Sequence, residues 1–183
     1  MRNVLKDPLL IAGNIIVYFM LGVMGIAGIA LLGAGVALPF FSGSIAEEMR
    51  VELADPSFVF PFWSALAVLA LALAIVVLFF LFFDKLRRII RTVGEGDPFV
   101  PQNARRLSLM AWYMLAVQLV ALPLTAIGVY LAGIFSELDE VSLTVDGGWG
   151  FDGSSILLII TLFILARVFR QGARMREDLE GTV

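Results

Sequence analysis

Polar side chains inside apolar stretches are the first place to seek chemistry in a chain this hydrophobic, because hydrocarbon tolerates them only where they have a task. Here they are Asn14, Tyr18, Gln118, Thr125 and Thr161. A proton relay or ion-coupled carrier draws on an acid, a lysine or a histidine deep in a span, and none is present. Asn14 and Gln118 lie toward the same side of the membrane and are expected to hydrogen-bond across helices as structural glue. The sequence holds no cysteine and no histidine, which excludes disulfides, thiolate chemistry and imidazole catalysis. There is no glycine-rich phosphate loop, no His-Glu zinc helix and no serine beside a base. Ser154 and Ser155, after Asp152 and Gly153, read as helix N-caps. Intramembrane carboxylate pairs are excluded because the acids flank the apolar runs. The expectation is a protein that is not an enzyme, with no catalytic residue, cofactor or metal ligand.

The elements that position these residues follow from composition. The 183 residues are 60% hydrophobic and 16% charged, with a mean hydropathy of +0.96. About 20 apolar residues cross a hydrocarbon core as a helix. Four runs meet that test: about 9–41, closed by Pro39, then 62–83, 111–135 and the shorter 155–169, whose Arg167 can snorkel to the interface. The first is too long for a signal h-region and reads as an uncleaved span. A β-barrel needs polar alternation, and LALAIVVLFFLFF has none. The fold class is therefore an all-α membrane protein, a single domain of four transmembrane helices over 1–183. Helical extensions occupy a central elbow, 84–110, and a C-terminal segment, 170–183.

Twelve of the thirteen basic residues fall before the first span, between the second and third, or after the apolar part of the fourth; Arg50 alone lies opposite. The positive-inside rule then places both termini and the elbow in the cytoplasm. The two remaining loops, 41–61 and 136–153, are acidic. Asp55-Pro56 marks a turn in the first. VSLTV-DGG-WGF in the second reads as a short hairpin turning at Asp146-Gly147.

Small residues let helices approach in lipid. Gly22, Gly25, Gly28, Ala27, Ala30, Ala34 and Ala37 are expected to meet Ala67, Ala70 and Ala74. Phe79, Phe80, Phe82 and Phe83 are expected to face lipid or headgroups, and Trp63, Trp112 and Tyr113 to mark span ends. Pro123 should kink the third span.

On the basic side, Leu86, Ile89, Ile90 and Val93 continue the second span at helical spacing, with Asp84 paired to Arg88 at i,i+4. Gly94 and Gly96 stop that helix. Asp97-Pro98 and Pro101 turn the chain, Phe99 anchors it at the headgroups, and Asn103 caps the returning helix. The last segment likewise extends the fourth span, with Arg174 and Asp178 at i,i+4 spacing. Such basic juxtamembrane helices attract anionic lipid, and no recognisable fold supports direct nucleic-acid binding.

Gly96-Asp97-Pro98-Phe99, followed by Asn103, Arg106 and Leu107, resembles the central signature of a bacterial multi-pass membrane family of unassigned activity, domain of unknown function 2975. Leu165-Ala166-Arg167-Val168-Phe169-Arg170-Gln171-Gly172, then Asp178-Leu179 and Thr182-Val183, resembles that family's closing motif, departing at Glu180-Gly181. The likeness spans nearly the whole chain and implies four helices without catalytic residues. It also implies gene neighbours encoding small helix-turn-helix regulators, hence a membrane partner for such a transcription factor. Asp97, Pro98, Phe99, Asn103, Arg106, Arg167 and Arg170 would hold the elbow against the fourth helix or dock that regulator. The alternative is a small channel or carrier for an apolar or amphiphilic compound.

Overall fold

A computed structural model describes residues 8–52, 56–135 and 153–180. They form α1 (Pro8–Glu52), α2 (Phe62–Gly94), α3 (Pro101–Phe135) and α4 (Gly153–Glu180), with no strand among the described residues. All four are long and apolar enough to cross a membrane, so the chain is a multi-pass membrane protein. The expected hairpin, Asp55, Arg2, Lys6 and Thr182-Val183 lie outside the described residues.

The helices outrun the apolar segments. The 33 residues of α2 span about 50 Å at 1.5 Å per residue, against a hydrocarbon core of about 30 Å, so its charged last third projects beyond the core. α1 continues past the expected close at Pro39, which lies inside it. A proline removes one backbone donor, but Ala, Glu and Met in the following SGSIAEEMRVE favour helix. Pro123 likewise lies within α3 without ending it.

α2 ends as its glycines foretell. Gly96 has φ +87°, its N–H bonds the Val93 carbonyl at 3.0 Å, and the Asp97 N–H bonds the Thr92 carbonyl at 3.1 Å. This is a Schellman motif with glycine at the left-handed position. A side chain there costs about 1–2 kcal/mol. Gly96→Ala is therefore expected to lower the thermal unfolding midpoint in detergent micelles; an unchanged midpoint would contradict the motif.

The chain divides into two compact units. The first comprises Met1–Gly25, Val77–Val117 and Asp152–Val183. Its core joins Ile89 of α2, Leu107, Met110, Ala111 and Met114 of α3, and Ile159, Leu162 and Ala166 of α4. Spacings of three and four place each set on one helix face. Phe79 and Phe82 pack against this core, correcting the expectation that they face lipid; Phe80 remains exposed. α1 joins α2 where Gly13 approaches Ile90.

The second unit comprises Ile26–Val76 and Gln118–Phe151. There Gly28 lies against Val76, as the small-residue stripe anticipates, but Ala30, Ala34 and Ala70 are exposed. Arg50 closes the end of α1, its Nε donating to the Phe58 carbonyl at 3.0 Å and its Nη1 reaching Glu47 at 3.3 Å. Gln118 is buried in this unit, whereas Asn14 is half-buried in the first; among the described residues neither makes the expected bond across helices.

Candidate functional site

The chemically dense part of the first unit is the turn from α2 into α3. Pro101, with its fixed φ and missing N–H, opens α3. That places Asn103 in the first helical turn, with its backbone N–H on the Val100 carbonyl at 2.9 Å. Its side chain is consequently not the expected N-cap. It is fully buried and turns inward. Nδ2 donates to Thr92 Oγ1 at 2.8 Å and to the Pro98 carbonyl at 2.9 Å. Oδ1 accepts from Arg106 Nη1 at 2.8 Å. The Thr92 hydroxyl spends its own proton on the Ile89 carbonyl, 2.8 Å away. Both amide protons and the amide oxygen are satisfied, so one side chain ties the end of α2, the elbow backbone and α3 together. Arg106 Nη1 also donates to the Arg88 carbonyl at 3.1 Å.

The elbow docks on α4 through two contacts. The Phe99 ring lies 5.3 Å from that of Phe169, directly over Gly172, where a Cβ would come within 2.7 Å of the ring. Phe99 therefore meets a helix on one side, while 42% of its surface stays exposed. Asp97 is ion-paired with Arg176. Arg167 and Arg170, expected to hold the elbow, are exposed and make no ion pair among the described residues. Arg176, Gly172 and Thr92 are the contacts sequence reasoning missed. Phe169, Gly172 and Arg176 recur at spacings of three and four, a signal that they share one face.

Two arginine-lined grooves flank the elbow. The first, about 870 Å³, is lined by Arg87, Arg88, Arg91, Arg106, Asn14, Tyr18, Thr92 and Glu95, with Leu10, Ile11, Ile90 and Gly94. The expected Asp84–Arg88 pair forms at 2.9 Å, and Asp84 also holds Lys85 and Arg87 at 3.1 Å each. The Arg87 guanidinium lies over the Tyr18 ring, 5.7 Å from its centroid. The second, about 290 Å³, lies between α3 and α4 and is lined by Arg105, Arg170, Arg174, Glu177, Pro101, Ala104 and Ala173. Hydrogen-bond donors converge on both grooves, which suits them to binding anions.

Residues 44–183 match the model of a family described as a protein of unknown function, DUF2975. The match covers most of the chain. The chain belongs to this family. The DUF2975 match takes in the elbow, its α4 partners and the second groove, whereas Asn14 and Tyr18 lie before it; it is thus narrower than the whole-chain resemblance. No curated protein and no solved structure matches the chain.

Proposed function

We propose that this DUF2975 protein is a non-enzymatic regulatory protein of the bacterial inner membrane. Its arginine-bearing end faces the cytoplasm and docks a regulator of the helix-turn-helix class. The carrying observation is the α3–α4 groove, where Arg105, Arg170 and Arg174 make no ion pair among the described residues. Three guanidinium forks here face one lining carboxylate, Glu177, and such an excess of unpaired donors is suited to an acidic segment of a partner. The Asn103 network and the Phe99 and Asp97 contacts hold one wall of that groove against the other, which limits the ordering cost of docking. The positive-inside rule supports the orientation, and the family resemblance supports the partner class.

Crosslinking and pull-down from native membranes tests this. A cytoplasmic regulator should be captured by the wild type. The triple variant Arg105→Gln, Arg170→Gln, Arg174→Gln should lose about tenfold in affinity for each charge-assisted bond that the partner makes. A second reading, a carrier for an amphiphilic compound, draws on the larger polar-lined groove. If no partner is recovered and deletion alters the flux of an amphiphile, that reading replaces the first.

A further inference from the structure

We propose that the larger groove, lined by Arg87, Arg88, Arg91 and Arg106, binds the phosphate headgroup of an anionic phospholipid. The site is separate from the α3–α4 groove and does not depend on the proposed regulator. Four guanidiniums face a single lining carboxylate, Glu95, so the groove carries an excess of positive charge. Each of the four is held through part of its fork. Arg87 uses Nη2 on Asp84, Arg88 uses Nε on Asp84, and Arg91 uses Nε on Glu95. Arg106 uses Nη1 on the Arg88 carbonyl and Asn103. An arginine has five N–H donors, so every fork keeps others for a ligand while its direction is already set.

The remaining lining decides the ligand class. Leu10, Ile11 and Ile90 share the groove with the arginines, giving it an apolar wall beside a cationic one. The apolar part of α1 begins at Leu9 and that of α2 ends at Phe83, so the groove opens at the level where hydrocarbon gives way to headgroups. Basic pockets between helices at that depth are suited to phospholipid headgroups. A free phosphate would satisfy the guanidiniums and leave the apolar wall unused; a phospholipid uses both. Asn14 adds a donor to the lining, and the Tyr18 ring supports the Arg87 guanidinium beside the phosphate.

The experiment uses the purified full-length protein in neutral detergent and records lipid adducts by native mass spectrometry together with the thermal unfolding midpoint. Phosphatidylglycerol should be retained and raise the midpoint; phosphatidylcholine and inorganic phosphate at equal concentration should do neither. Arg88→Gln with Arg91→Gln, both largely exposed side chains, should weaken phosphatidylglycerol retention about 30-fold, about fivefold per arginine. Ile11→Gln, at an exposed position, should weaken it without touching a charge, and Arg167→Gln on α4 should leave it unchanged. Equal retention of phosphatidylcholine, full competition by inorganic phosphate, or a double variant that binds like the wild type would each overturn the proposal.

Discussion

Asn103→Leu is expected to destabilise the protein by about 3 kcal/mol. Leucine keeps the number and branching of the side-chain heavy atoms but none of the polar groups, so lost hydrogen bonding dominates and some overpacking adds to it. It strands the Pro98 carbonyl and removes the partner of Thr92 and one acceptor of Arg106. A buried polar group left unmatched costs about 1–3 kcal/mol, and the fully buried side chain leaves no room for water to substitute. Asn103→Asp distinguishes the donors from the acceptor. It keeps an oxygen for Arg106 and can accept from the Thr92 hydroxyl, which lies within 3.1 Å of the native Oδ1, so only the Pro98 carbonyl is left facing an oxygen and the cost should be smaller than leucine's. Thr92→Val removes one of these bonds and should cost about 1 kcal/mol. Reversible unfolding in mixed micelles, followed by circular dichroism, measures all three. An Asn103→Leu protein as stable as wild type would show that the elbow is not held through this residue.

The second large effect is a reversal of sign at Gly172. In the wild-type background Gly172→Ala should destabilise, by about 1–3 kcal/mol, because its Cβ would lie 2.7 Å from the Phe99 ring and overpacking costs of that order follow. In the Phe99→Ala background the ring is gone, and alanine exceeds glycine in helix propensity by about 1 kcal/mol. The same change should then stabilise. The difference between the two backgrounds is the interaction of the Phe99 ring with the methyl added at position 172, obtained from a double-mutant cycle in the same unfolding assay. Additive effects would mean that Phe99 does not rest on α4.

Much of this is legible in the sequence. Apolar runs of this length have few alternatives to a spanning helix, and Gly96 marks the end of α2 because the position requires a left-handed backbone. The partners of the elbow were harder. Asn103 follows a turn and precedes a helix, which is a capping pattern, but Pro101 starts the helix earlier and so rotates the amide into the core. Phe99 beside a charged turn suggests an interface anchor, since sequence does not say which helix returns alongside. Arg167 and Arg170 drew notice as charges in a motif, yet Phe169, Gly172 and Arg176 share the docking face. Phe79 and Phe82 pose the same difficulty: aromatic content shows burial from water, not whether lipid or a helix supplies it.

The account rests on the elbow being fixed against α4, and the absence of native cysteine makes that directly measurable. The Gly172 Cβ position is 3.4 Å from Phe99 Cγ, the atom whose place a cysteine sulfur would take, so substituted cysteines at the two positions are within reach of each other. Phe99→Cys combined with Gly172→Cys, oxidised mildly in native membrane vesicles, is expected to form an intramolecular disulfide in nearly every chain. A protein that stays helical and inserted, yet leaves both thiols free to react with maleimide and forms no such bond, would contradict the docked elbow.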